Sequence, residues 1–249
     1  MLKYCGLTDI GGRENNEDSY DTLVFEHENT SENLHLLAVA DGLGGHSAGE
    51  FASRLAIIEL SETVKRGIGA YDAITSESMK ELLTKGFKKA KEEIILQAEI
   101  VPERSNMGTT LVAALLKDDG SGVVANLGDS RAYLIDQGGI KRITKDHSYV
   151  QGLVDNGLIT DEEAFDHPEK NIVTKIIGME DVEPDLFEVN LSDDLLLLCS
   201  DGLSDALRDE EIRNIILKVG YNKGICKDLL EAAKVDGHDN ITVIAARLQ

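Results

Sequence analysis

The sequence predicts an α+β fold built on antiparallel sheets, because strand-like and helix-like segments are grouped in pairs and do not alternate. Short apolar runs come two at a time across turn signals, as at Asp118-Asp119-Gly120 and Asp136-Gln137-Gly138-Gly139. Helix-period segments are also paired, one pair after the third strand and one near the end. The 249 residues hold three prolines and no fixed-period repeat or linker-like tract, so 1–249 is read as a single domain.

In chain order, strands are expected at 2–9, 19–25 and 34–40. The third, Leu34-His35-Leu36-Leu37-Ala38-Val39-Ala40, is almost unbroken apolar sequence, as expected for a strand covered on both faces. It stops on Asp41-Gly42. A helix over 47–66 follows with Phe51, Leu55 and Ile58 on one face, then one over 77–99 with Met79, Leu82, Leu83, Phe87, Ala90 and Ile94 at helical spacing. Strands are expected at 109–117, 121–127, 131–136 and 139–144. Residues 148–171 read as short helical pieces, and Thr160-Asp161-Glu162-Glu163 is a capping box. Asp161 and Glu162 there are first-turn partners of the helix dipole, not ligands. Strands over 185–191 and 194–200 come next, the second repeating the pattern of the third: Leu195-Leu196-Leu197-Leu198-Cys199-Ser200, then Asp201-Gly202. Asp205 is read as the N-cap of a helix over 208–219, with Ile212, Ile215, Ile216 and Val219 inward. A helix over 223–234 and a strand over 241–248 complete the chain.

Forty-six acids against 25 bases give a net charge of −21, which repels nucleic acid and anionic lipid, and there is no Trp for base stacking. Most of these acids solvate the surface, as in Glu26–Glu32. No apolar run approaches a membrane span and no signal-peptide pattern opens the chain, so a cytoplasmic protein with no membrane insertion is expected. Three widely spaced cysteines, Cys5, Cys199 and Cys226, form no CxxC pair. Cys199 and Cys226 are read as buried small hydrophobes in a reducing compartment, and no disulfide is needed for a core this large.

A carboxylate at the mouth of a doubly covered strand is costly to desolvate without a positive partner. Asp41 and Asp201 both stand there, with Glu17, Asp18, Asp129 and Asp239 at similar strand edges and no matching Lys or Arg cluster. Such a set, without Cys or His, suits magnesium or manganese better than zinc. Two such ions roughly 4 Å apart would activate a water against a phosphoryl group. Arg13 offers a planar fork for phosphate; by itself it is an ordinary surface ion-pair partner, but beside a carboxylate cluster an anchor for an anionic substrate. Asp129, in Asn126-Leu-Gly-Asp-Ser-Arg131, reads equally well as a ligand or as a turn residue. His46 and His147 sit in polar loops and read as solvated. Gly42-Leu-Gly44-Gly45-His-Ser47 lacks the third glycine of a dinucleotide fingerprint, leaving a nicotinamide-dependent oxidoreductase a distant reading.

Taken together, Arg13…Glu17-Asp18, Ala40-Asp41-Gly42-Leu-Gly-Gly45, Met107-Gly-Thr-Thr-Leu111, Asn126–Arg131, Ser200-Asp-Gly-Leu203 and His238-Asp-Asn-Ile-Thr-Val243 resemble the protein phosphatase 2C-like family in its stand-alone bacterial form. The resemblance implies a four-layer αββα sandwich, two antiparallel sheets flanked by helix pairs, with a flap at about 148–171. It implies a metal-dependent phosphoserine/phosphothreonine phosphatase acting by direct attack of a metal-bridging water, with two to three manganese or magnesium ions. The alternative is a non-catalytic regulatory or phospho-binding module on the same fold. By position, Asp41 would bridge two ions, Asp201 and Asp239 would bind one, and the Gly42 carbonyl the other. Glu17 would act through water, Asp18 from the outer shell, and Asp129 with Asp201 would hold a third ion; Arg13 would hold phosphate. Partners would be phosphorylated proteins, including Ser/Thr kinases and their substrates, met by a monomer. The turn before Arg13 is one residue shorter than the family's. Leu43 stands where eukaryotic members carry a histidine proposed as general acid, so metal-bound water is preferred over His46 for that role.

Overall fold

A computed structural model describes the chain apart from Asn29, His46, Asp193, 221–223, Asp236 and Gln249, and apart from the Val219 side chain. The elements are β1 (Leu2–Asp9), β2 (Asp18–His27), β3 (Glu32–Leu43), α1 (Ser47–Gly67), α2 (Ser76–Ile100), β4 (Gly108–Thr109), β5 (Leu111–Lys117), β6 (Ser121–Leu127), β7 (Arg131–Ile135), β8 (Ile140–Arg142), α3 (Tyr149–Asp155), α4 (Asp161–Phe165), β9 (Asp185–Asn190), β10 (Leu195–Cys199), α5 (Asp201–Ser204), α6 (Asp209–Val219), α7 (Ile225–Ala233) and β11 (Ile241–Leu248).

The strands form two antiparallel sheets, one ordered β1-β11-β10-β7-β8 and one ordered β2-β3-β5-β6-β9, with β4 added to the end of β3. Three apolar clusters define the layers. Leu34, Leu36, Ala38 and Ala40 of β3 join Leu111, Ala113 and Leu115 of β5 under α1 and α2. Leu195, Leu197 and Cys199 of β10 join Val243 and Ala245 of β11 under α6 and α7. The alternate residues, Leu37, Val39, Val112, Leu196, Leu198 and Ile244, fill the space between the sheets. Antiparallel sheets usually leave one face wet; here helices cover both outer faces, so the central strands read as continuous apolar runs. The result is the αββα sandwich.

Local chemistry accounts for the boundaries. Thr75 caps α2 reciprocally with Ser78, and Thr160 and Glu163 form the expected capping box on α4. β3 runs past the expected residue 40 because Gly42 and Leu43 pair with Thr109 and Gly108. The buried face of α2 is the one expected. The face of α1 is not: Ala48, Ala52, Ala56, Ile57, Leu60 and Val64 are buried, Phe51 and Leu55 lie at the margin, and Ile58 is 50% exposed. Small alanines let α1 approach the sheet closely, so the larger side chains turn to the rim, where the Arg104 guanidinium covers the Phe51 ring at 3.5 Å.

The cysteine reading also needs correction. Cys5 and Cys226 form a disulfide, Cα to Cα 6.4 Å, tying β1 to α7 across 221 residues of sequence. Residue spacing gave no sign of it, because the pairing follows from α7 lying against β1. Cys199 is free and fully buried, as expected.

Candidate active site

Strand pairing places the acids. β2 begins at Asp18, which is paired directly with Asp41 of β3, so two carboxylates stand at one edge. In the other sheet β10 ends at Cys199, Ser200 caps the one-turn α5, and Asp201 opens it. Asp239 precedes β11, the neighbour of β10. All of these ends open on one cleft of about 490 Å³, lined by Arg13, Glu17, Asp41, Gly42, Asp129, Asp201 and Asp239. Asp18 lies just behind the lining.

Close backbone contacts build the floor. A Cβ on Gly42 would collide with the Gly49 carbonyl, and one on Gly49 with the Glu17 carboxylate. Paired glycines therefore let the β3 end, the start of α1 and the Glu17 side chain meet. The Gly42 N–H donates to the Glu17 carbonyl at 3.1 Å, and the Ser53 hydroxyl donates to the same carbonyl at 2.6 Å. Asn240 Nδ2 donates to the carbonyls of Ile10 and Asn15, while its Oδ1 accepts the Glu17 N–H at 2.8 Å. Thr110 holds Asp41 from the other side: its Oγ1 accepts the Asp41 N–H at 3.0 Å and its N–H donates to the Asp41 carbonyl at 2.9 Å.

The carboxyls are crowded and dry. Asp41 and Asp201 are both held well above the usual carboxylate range, first by burial and then by neighbouring acids. Burial raises Asp18 to about 6, although its Oδ2 accepts the Ser200 hydroxyl at 2.7 Å. Asp129 is raised to about 7, by burial and then by Asp146. Oδ1 of Asp18 and Oδ1 of Asp201 are buried without a hydrogen-bond partner. Orphaned carboxylate oxygens amid mutually repelling acids fit hard divalent cations, which would supply the missing positive charge. Among the described residues, no three acid, His or Cys side chains yet close around a single point. One reason is visible: Asp239 is turned to Arg13, with Arg13 NH2 2.7 Å from its Oδ2.

Two readings of individual residues change. Asp205 ends α5 and does not cap α6, whose N-cap is Arg208. It lines a neighbouring cavity of about 640 Å³ with Asp129, Asp146 and Asp201, and pairs with Lys170 at 3.3 Å. His147 is not solvated: it is 9% exposed and bonded to the Asp129 turn. His46 lies outside the described residues. The supporting residues Ser53, Thr110, Ser200 and Asn240 drew no role from the sequence; their one signal is a polar side chain beside an apolar strand or helix face.

The protein phosphatase 2C family model matches residues 5–219. The chain belongs to the protein phosphatase 2C family. It is 38% identical to the serine/threonine phosphatase stp of Listeria welshimeri, over 93% of this chain and 90% of that one. It is 37% identical to the serine/threonine protein phosphatase PstP of Mycobacterium tuberculosis, over 99% of this chain and 45% of PstP. Serine/threonine phosphatase Stp1 from Staphylococcus aureus superposes with a TM-score of 0.89 at 39% identity, covering 100% of this chain and 96% of Stp1. A PstP catalytic domain solved with 2 manganese ions superposes at 0.82, at 35% identity, over 100% and 99% of the two chains. Membership in this protein phosphatase 2C family accounts for the sandwich.

Proposed function

We propose that this chain is a metal-dependent protein serine/threonine phosphatase that hydrolyses phosphoserine and phosphothreonine without a covalent intermediate. The observation that carries the reading is the convergence of Asp18, Asp41, Asp129 and Asp201 at the sheet ends, with two buried carboxylate oxygens unpartnered. Asp41, Asp201, Asp239 and the Gly42 carbonyl would hold two ions, with Glu17 and Asp18 acting through water and hydrogen bonds. Asp129 with Asp201 would hold a third; manganese or magnesium suits this oxygen donor set. Such ions would supply Lewis-acid charge and lower the pKa of a bound water, so that hydroxide is available as the nucleophile toward phosphorus.

The side chains do the rest. Arg13 is 57% exposed at the rim, and its guanidinium can turn from Asp239 to a phosphate and fix it by two parallel N–H bonds. Thr110 and the Gly42–Gly49 contact hold Asp41 rigid, so that little reorganisation is needed in the transition state. A cysteine nucleophile has no part, because burial pushes the Cys199 thiol up to about 12.

Residues 1–249 are taken as a single domain with 148–171 as its flap, supported by the Arg208–Asp166 pair at 2.9 Å and the Lys170–Asp205 pair. Substrates would be phosphoproteins, Ser/Thr kinases among them, met by a monomer. No helix among the described residues is long and apolar enough to cross a membrane. The Cys5–Cys226 bond removes the cysteine argument for a reducing compartment, so a cytoplasmic location rests on the substrates alone. The deciding experiment is hydrolysis of a phosphothreonine peptide with manganese and with chelator. Turnover with manganese and none with chelator is expected; tight phosphopeptide binding without hydrolysis under any divalent ion would favour the non-catalytic module.

A further inference from the structure

We propose that His147 is a positioning residue that clamps the Asp129 turn to the returning end of the 148–171 segment and so sets the geometry of Asp129. The inference rests on the reading of Asp129 as a binding residue given above.

The contacts are reciprocal. The Gly128 N–H donates to His147 Nδ1 at 3.1 Å, and the His147 N–H donates to the Gly128 carbonyl at 2.9 Å. Gly128 directly precedes Asp129, so His147 bonds both backbone groups of the residue that leads into the carboxylate; Asn126 Nδ2 also donates to the Gly128 carbonyl at 3.2 Å. The turn has little freedom to relax. Gly128 has φ +119°, a conformation costly for other residues, and Thr110 blocks the space a Cβ would take. On its far side His147 accepts the Thr174 N–H at 2.7 Å, and Ser148 bridges to Val173, so the same residue seams both ends of the flap segment.

The ring must carry its proton on Nε2 to accept at Nδ1, and Asp185 selects that tautomer with Oδ2 at 3.3 Å from Nε2. Burial lowers the His147 pKa and keeps the ring neutral. A solely structural buried histidine would need hydrogen bonds somewhere; it would not need its ring on Gly128, the residue whose two flanking peptide units set the turn into Asp129.

Asparagine places an amide oxygen near the position of Nδ1, whereas glutamine places its polar atoms near Nε2 and leaves the Gly128 N–H unpaired. In metal-free protein, amide exchange at Gly128 and Asp129 should accelerate about tenfold in His147→Ala and His147→Gln and recover in His147→Asn, the size expected for losing one buried hydrogen bond. On a phosphothreonine peptide with manganese, His147→Ala should lower kcat about tenfold with KM unchanged, and His147→Asn should restore most of it. In an Asp129→Asn background, His147→Ala should lower kcat no further, because the two act through one group. Unchanged exchange, failure of His147→Asn to rescue, or fully additive losses would overturn the clamp. If His147→Ala does not fold, His147→Gln carries the same readings. Exchange is read without metal or substrate, so an inert wild-type enzyme would sink the phosphatase reading while leaving this one decided separately.

Discussion

Removing metal should make this protein less stable as pH rises from 5 to 8, opposite to ordinary acid denaturation. Asp129 shows why. Its ordinary value is 3.8 and burial with Asp146 nearby lifts it to about 7 in the folded chain. A carboxyl whose folded pKa lies above its unfolded one contributes stability that is fully present below the unfolded pKa and lost as pH rises through the folded one. Between pH 5 and about 7 the unfolded chain is already ionised at this position while the folded one still holds its proton. Two pH units at ~1.36 kcal/mol each give a loss on the order of 3 kcal/mol from Asp129. Urea unfolding at pH 5 and pH 8 with chelator present checks this; with a slope of about 3 kcal/mol/M the midpoint falls by about 1 M. Asp129→Asn keeps the shape and removes the charge, so it should flatten the pH dependence and raise stability at pH 8. Manganese should do the same for the wild type by neutralising the cluster. A wild-type midpoint that is flat or rises from pH 5 to pH 8 in chelator, or an Asp129→Asn protein with an undiminished slope, would refute the reasoning.

Asp201→Asn or Asp239→Asn should lower kcat by two orders of magnitude or more with the fold kept, since each removes an ionic oxygen from a crowded site; circular dichroism and phosphopeptide turnover test both halves. Arg13→Ala should chiefly raise KM, about tenfold, because an exposed anchor 2.7 Å from Asp239 contributes mostly uniform binding. Loss confined to kcat would place Arg13 in the transition state alone. Asp129→Asn should lower kcat more on a phosphothreonine peptide than on p-nitrophenyl phosphate, whose leaving group needs little protonation. Equal small effects would return Asp129 to a turn residue. A core change, Phe87→Ala, should cost about 3–5 kcal/mol without altering KM, because that ring is buried on the sheet side of α2 and does not line the cleft.

The strands were legible because covering both faces of a sheet leaves apolar runs with few interruptions, and each run of β3 and β10 stops where its Asp-Gly reaches the cleft. The acids were legible for the same reason: a carboxylate ending a buried strand has few places to go. What stayed hidden was set by tertiary approach. The face of α1 was misjudged because packing there depends on how closely Ala52 and Ala56 let the helix sit, and side-chain size alone points to Phe51 and Ile58. The Cys5–Cys226 bond depends on where α7 lands.

Asp205 and His147 failed as sequence readings for a shared reason. Each sits in a polar loop, where local chemistry predicts caps and solvation, yet each is folded back against the Asp129–Asp201 end of the sheets. His147 is ordered there by the hydrogen bonds of the Asp129 turn and Asp205 by its ion pair with Lys170, partners that no window of neighbouring residues encodes. Lys170 meeting Asp205 and Asp185 meeting His147 are the charges that finish the enclosure. Residues 170 and 171 thus reach the two cavities, Lys170 beside Asp205 and Asn171 in the lining of the cleft. Substitutions at these loop positions should therefore appear in metal and substrate dependence sooner than in global stability.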